Sequence, residues 1–255
     1  MTVAIFINIS SENPFLRFQL LSILNQSDPP DEVFVIDDTQ NDENSKLCLE
    51  IQTQASHLVQ HLQLPHHTSF GKKLNIAAMH SKSTYMIVLE GISFLHPQCV
   101  KQHKQWAKKG LFLTGISSTI EYSSTFQKNS DYNFFAKKII KMGSAFYFPL
   151  LSVFTKIKAS ISESICLNNF SFWREDFNII NGSDEEYEDA RAARLDIVYR
   201  LLQLGIKWKA LKGSGIVYST NSKAKEKFNE VDQFRLKWSL NKKRIVTIEG
   251  LEKTN

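Results

Sequence analysis

The chain has 255 residues, 42% of them hydrophobic and 22% charged, and a net charge of +5. That length suits one large domain, or one with a short appendage, and can bury a sizeable core without staples. The modest positive charge permits contact with phosphates or anionic lipids and gives no reason to expect nucleic acid. Cys48, Cys99 and Cys166 are odd in number and form no C-x-x-C pair, which argues against zinc and against a disulfide framework. They read as reduced thiols of a cytoplasmic protein. The N-terminus shows no basic region followed by a cleavable apolar segment, and no run of about 18 apolar residues suggests a membrane span.

Val3–Ile9 is a β-branched run, followed by turn and cap chemistry at Ser10–Pro14. Phe15, Leu16, Phe18, Leu20, Leu21 and Leu24 recur at helical spacing, and Pro29-Pro30 breaks the chain. Glu32–Ile36 reads as a buried strand ending in Asp37-Asp38, and Leu58–Leu64 as a third strand. Gly71–His80 reads as a helix, Tyr85–Leu89 as a strand, Pro97–Lys108 as a helix and Leu111–Ile116 as a strand. This alternation predicts an α/β fold with a mostly parallel sheet and helices on both faces. Ligands of such sheets bind beyond the carboxyl ends of the strands, so Asn8–Ser11, Asp37-Asp38 and Glu90-Gly91 share one rim.

Residues 117–133 read as a polar loop. From Phe134 to Ser162 there are five lysines (137, 138, 141, 156 and 158), many aromatic residues and no acid. Such a stretch can lie on an anionic membrane surface, or be a helix packed on the sheet with a solvated lysine face. Ile165–Phe172 reads as a strand, Glu175–Ile180 as a short helix, Asn181–Asp184 as a turn and Leu195–Leu204 as a helix closed by Gly205. Ile206–Leu211 and Gly215–Tyr218 read as strands. Residues 223–255 are charged and helical at first, with a candidate edge strand at Ile245–Ile248.

Asp37 and Asp38 are as well suited to a base or ribose hydrogen bond as to capping the next helix. Glu90 is the only oxygen ligand in Glu90-Gly91-Ile92, whereas a hard cation such as magnesium or manganese usually takes two. His57 and His61, at i, i+4, lack a third ligand and read as a solvated surface. Neither a G-x-x-x-x-G-K-[ST] loop nor a G-x-G-x-x-G occurs.

Taken together, residues 3–220 resemble the family 2 glycosyltransferases of the inverting GT-A type. AIFINISSENPFL (4–16) resembles their opening strand and loop, EVFVIDD (32–38) their second strand with its aspartate pair, and GKKLNIA (71–77) their glycine- and asparagine-bearing helix. YMIVLEGISFLHP (85–97) resembles the strand carrying the metal motif. Asn169, Ser171 to Asp176, Asn181-Gly182, Asp184-Glu185, Asp196, Arg200 and Leu201 resemble the family's N-x-S-F-W-R-E-D…N-G-x-D-E…D-x-x-x-R-L pattern.

The resemblance implies a Rossmann-like GT-A domain over 1–220, with a nucleotide-binding half (1–116), an acceptor half (117–220) and a charged extension (221–255). It implies transfer of a sugar from a nucleotide diphosphate sugar, UDP-type favoured, to a glycan or lipid-linked acceptor in surface polysaccharide synthesis. The substrate-binding residues it implies are Ser10, Asn13, Asp37, Asp38, Lys72, Asn75, Glu90, Trp173 and Arg194. The family's D-x-D is here Glu90-Gly91-Ile92, its W-G-x-E-D is Ala190–Arg194, and its V-Y-H is Val217-Tyr218-Ser219. Three motifs have thus lost polar ligands. Magnesium or manganese, with Glu90 as the one candidate ligand, is weakly implied. Arg194, Arg191 or Lys72 can supply positive charge, and Glu188 or Asp189 is the substitute base. A catalytically inactive relative that binds a sugar, a nucleotide or a partner is the competing reading.

Overall fold

The computed structural model of the protein describes residues 1–11, 13–54, 58–120, 131–143, 145–160, 165, 167–219 and 228–252. Its centre is a seven-stranded sheet in the order β3-β2-β1-β4-β8-β6-β9. The strands are β1 (Val3–Ile9), β2 (Glu32–Asp37), β3 (Val59–Gln63), β4 (Tyr85–Leu89), β6 (Leu111–Thr114), β8 (Asn169–Trp173) and β9 (Lys207–Ala210). The first four are mutually parallel. β8 runs antiparallel to both β4 and β6, and β9 is parallel to β6. A three-stranded sheet, β5 (Ser93–Leu95), β10 (Ile216–Ser219) and β7 (Ile116–Thr119), abuts it.

Every residue of β1 and β4 is buried, as expected for strands covered on both faces. Alternation then divides the side chains. Ala4 and Phe6 of β1 join Phe34, Ile36, Met86 and Val88 on one face, under α3 (Phe70–His80) and α8 (Ala190–Gln203). Val3, Ile5 and Ile7 join Val33, Val35 and Ile87 on the other, under α1 (Leu16–Leu24), α2 (Asp42–Gln54) and α4 (Cys99–Trp106). Cys48 and Cys99 are buried free thiols of that second layer, whereas Cys166 and His57 lie outside the described residues.

The expected elements recur with shifted ends. β7 arises at the start of the stretch expected as a loop, and β5 in a stretch given no element, because Ile116–Thr119 and Ser93–Leu95 both pair with β10. Residues 134–162 divide into α5 (Tyr132–Met142) and the single turn α6 (Leu150–Val153). α7 (Arg174–Ile179) follows β8, and α9 (Glu230–Asn241) packs on α8. Ile245–Ile248 is not a strand. Instead Thr247 N donates to Ile180 O, and Asn181 Nδ2 donates to the carbonyls of Thr247 and Glu252, so this stretch wraps the Asn181 turn.

Candidate functional site

The parallel strands β1, β2 and β4 end together, and a cavity of about 540 Å³ opens beyond them. Its floor carries Asn8, Ser10, Asp38 and Glu90, one side is the N-terminus of α3, and the opposite wall is Glu185–Glu188 with Ala190. Asn8 is buried, and neither polar atom of its amide has a protein partner. A buried amide in that state is a ready contact for a polar ligand.

Asp38 is almost wholly buried and pairs with the equally buried Lys73, Nζ to Oδ1 at 2.6 Å. Lys73 Nζ also donates to Ser10 Oγ at 2.7 Å. His66 Nδ1 lies 3.0 Å from the Asp38 carbonyl oxygen, and its ring stacks on His67 at 4.0 Å. Glu90 forms an ion pair with Arg194, whose guanidinium also sits 5.3 Å over the Phe70 ring. Arg194 is buried by α8. Asp38 and Glu90, the two strand-end acids that line the cavity, are therefore each matched to one cation.

The wall is held from α3. Ser69 caps the helix, and its Oγ donates to Glu185 O at 2.9 Å. Asn75 Nδ2 donates to Ser183 O and to Glu185 Oε1, while Ser183 N donates to Asn75 Oδ1. A Cβ on Gly71 would lie 2.3 Å from Asp184 O, so only glycine lets helix and wall approach this closely. Behind the wall, Asp196 accepts hydrogen bonds from Tyr187 OH, Arg200 Nε, Ser239 Oγ and Arg244 Nη2, and Arg244 Nη2 also donates to Asp184 Oδ2 at 2.7 Å. Burial would raise the Asp196 carboxyl, but Arg200 and Arg244 hold it below its ordinary value.

Of the residues named from the sequence, Ser10, Asp38, Glu90 and Glu188 meet at the cavity, and Arg194 reaches it through Glu90. The others go elsewhere. Lys72 is exposed on α3, and its neighbour Lys73 takes the inward position. Asn75 is used entirely on the wall. Asn13 Oδ1 accepts from Phe15 N at the start of α1. Asp37 faces away from the cavity and accepts from Thr39, Asn44 and His61. Burial would raise its carboxyl, but those bonds hold it at about 2. His61 is thus a half-buried partner of Asp37, not a solvated surface residue. Trp173 pairs with Tyr85 at the amino end of β4, so the reversed direction of β8 puts it at the end of the sheet opposite the rim. Arg191 lies 5.2 Å from the Phe228 ring.

Asp189 caps α8, its carboxylate accepting from Arg191 N and Ala192 N, and is committed to that task. Glu188 is exposed on the cavity wall, with one oxygen 3.1 Å from Asn229 Nδ2. Asn8, placed on this rim from the sequence, lines the cavity, whereas His66, Phe70, Lys73 and Glu185 were missed. For Lys73 a signal existed, its i+4 partner being the small core residue Ala77.

The donor set does not suit a divalent cation. Glu90 and Asp38 each already hold a protein cation, and among the described residues no group of three or more His, Cys, Asp or Glu side chains converges.

Comparison with known proteins bears on the fold. No curated protein sequence matches the chain. TarS 1–349 from S. aureus in complex with UDP-GlcNAc superposes with TM-score 0.68 at 12% identity, over 95% of this chain and 66% of that one. The same protein in complex with UDP gives 0.67, at 12% identity and over 95% and 65%. The mannosyltransferase PcManGT from Pyrobaculum calidifontis in complex with GDP-Man and Mn2+ gives 0.61 at 14% identity, over 88% of this chain and 58% of that one. The chain thus spans about three fifths to two thirds of these structures, and at such identities the likeness establishes the GT-A fold. The family model described as Glycosyl transferase family 2 matches residues 5–167, and the chain belongs to that family.

Proposed function

We propose that the protein transfers a sugar from a nucleotide diphosphate sugar, UDP-type favoured, with inversion and without a divalent metal. The acceptor is a glycan or lipid-linked glycan of surface polysaccharide synthesis, met at the cytoplasmic face of a membrane that the 134–162 region touches. The observation carrying the metal-free reading is the pair of ion pairs, Lys73–Asp38 and Arg194–Glu90, at the strand ends. In this reading the free Asp38 oxygen and the Asn8 amide accept and donate to the nucleoside, with Phe70 beside them. Lys73 and Arg194 face the diphosphate and take over the charge stabilisation a metal supplies in relatives.

Transfer then has a simple balance. The acceptor hydroxyl oxygen bonds to the anomeric carbon from the face opposite the diphosphate. The bond from carbon to diphosphate oxygen breaks, and its electron pair leaves with the diphosphate. The hydroxyl proton passes to Glu188, the one carboxylate of the 188–189 pair that lines the cavity.

One observation favours a second reading, a binding protein without turnover. Ala193 and Arg194 occupy the place where the family carries its base, both are buried, and Ala190–Arg194 contains no carboxylate. Calorimetry with UDP and GDP, each with EDTA or manganese, tests the binding. Equal affinity with either addition is expected. A strict manganese requirement would refute the metal-free reading, and no binding of either nucleotide would refute the transferase reading. Release of sugar from a UDP-sugar panel, abolished by Glu188→Gln, separates enzyme from binder.

A further inference from the structure

Beyond the sugar site, residues 146–158 present an inverted pattern. A helix or loop packed on a sheet normally turns its apolar side chains inward. Here Phe146, Phe148, Leu150, Leu151, Val153, Phe154 and Ile157 are all exposed, Phe146 at 80% and Phe154 at 81%. Apart from Tyr147, which packs on the third apolar cluster and stacks on His96 at 4.4 Å, what points inward is polar. Ser152 is buried and donates to Lys212 O, and lies 2.6 Å from Ser214 Oγ. The buried Lys209 Nζ donates to the carbonyls of Ser152 and Thr155. Backbone bonds complete the attachment, Phe148 N to Gly213 O and the reciprocal pair between Lys158 and Trp208. A Cβ on Gly213 would lie 2.4 Å from Phe148 O, so glycine is needed for this approach. The segment is therefore fixed in place by polar contacts, and its apolar side chains are held outward on a rigid base.

A groove of about 410 Å³ runs between this segment and β9, lined by Leu151, Phe154, Lys156, Lys158, Trp208 and Lys212. The three lysines are exposed, Lys158 Nζ stands 5.2 Å over the Trp208 ring, and no acidic residue occurs between Asp131 and Glu163. α5, the other half of the basic region, differs. It turns Phe135 and Ile139 into the core, with Phe135 stacked on Phe18 at 4.1 Å.

We infer that the 146–158 face is seated on an anionic phospholipid bilayer, with the Lys156–Lys158–Lys212 groove holding a lipid phosphate. This rests on the membrane contact proposed above and narrows it to one surface. The exposed apolar residues enter the headgroup boundary and the lysines meet the phosphates, while Trp208, buried with Nε1 donating to Thr114 Oγ1, lines the groove from the protein side. A second copy of the chain is a poorer occupant, because the lysines of two such faces would meet each other.

Vesicle flotation of the full chain tests this. Wild type is expected to float with mixed phosphatidylglycerol–phosphatidylcholine vesicles, less so at high salt, and to stay down with phosphatidylcholine alone. K156E/K158E/K212E lowers partitioning about 100-fold, and Phe154→Asp about 10-fold. Reversal of Lys137 and Lys141 on α5 changes it less than about threefold. UDP calorimetry of the same variants stays at the wild-type value, which separates loss of lipid from loss of the sugar site. Equal flotation of the triple variant, equal partitioning onto neutral vesicles, or an equal loss in the α5 variant would overturn the proposal. So would concentration-dependent dimerisation that Phe154→Asp abolishes while wild type fails to float.

Discussion

Lys73 Nζ lies 2.6 Å from Asp38 Oδ1 at the end of β2, and both side chains are almost completely withdrawn from water. A pair so dry is costly to break from one side, because the surviving charge stays buried without a partner, typically at 3–5 kcal/mol. Lys73→Met is therefore expected to lower unfolding free energy by about 3 kcal/mol in urea titrations and to weaken UDP binding at least 10-fold. Lys72→Met, one residue away, is expected to change stability by less than about 0.5 kcal/mol. If the two variants behave alike, the inward position has been assigned to the wrong lysine.

The Glu90–Arg194 pair lends itself to a double-mutant cycle. Arg194→Gln alone leaves the Glu90 carboxylate facing a buried site and is expected to cost about 3 kcal/mol of stability. Adding Glu90→Gln should recover much of that loss while nucleotide affinity stays low, since affinity follows the guanidinium and not the fold. Recovery of both together would mean that Arg194 serves structure only.

Glu188 and Asp189 are neighbours with separable roles. Asp189→Ala removes the two cap bonds of α8 and is expected to cost about 1 kcal/mol, read as a lowered melting temperature. Glu188→Gln is expected to leave melting unchanged and to remove turnover. The opposite pattern would make Asp189 the base.

Arg244 is the only cation bonded to both Asp184 and Asp196 among the described residues. Arg244→Ala is expected to destabilise by about 3 kcal/mol, and hydrogen exchange should show residues 184–188 opening first. Unchanged protection of those amides would exclude the clamp.

His103 gives the pH dependence. Its imidazole is fully buried, with Nδ1 2.7 Å from Ser171 Oγ, and burial pushes its pKa from 6.5 down to about 4. Between those values the unfolded chain binds a proton that the native protein does not. The contribution is complete above about pH 6.5 and is lost as pH falls towards 4, amounting to about 3 kcal/mol. Urea midpoints should fall over that window, and the His103 ring should show no NMR titration above pH 5. A ring titrating near 6.5 would contradict this.

Much of the site was legible because β1, β2 and β4 are apolar on both faces. Strands of that kind lie centrally in a parallel sheet and must aim their carboxyl ends at one rim, which brought Asp38 and Glu90 together on paper. Trp173 was misplaced for a reason the run Asn169–Trp173 does not carry: nothing in NFSFW states strand direction. A parallel β8 would have ended at the rim, whereas the actual register sets Trp173 opposite Tyr85. Lys72 and Lys73 differ by about 100° around a helix. Lys72 shares its stripe with exposed Met79 and Lys73 with buried Ala77, so the distinction was in the pattern although Lys72 was the residue named from the sequence. Contacts such as Arg244 with Asp184 join residues sixty positions apart, and no local pattern reports them.

That long-range clamp has a consequence for the order of maturation. Strands β1, β2 and β4, with Asn8, Asp38 and Glu90, are complete within the first ninety residues, and domains form as the chain emerges from the ribosome. The wall opposite them waits for Arg244 and for the stretch that ties Asn181 to Thr247 and Glu252. A nascent chain thus carries the floor of the cavity before it owns the wall opposite, which is complete only after some 150 further residues have been made.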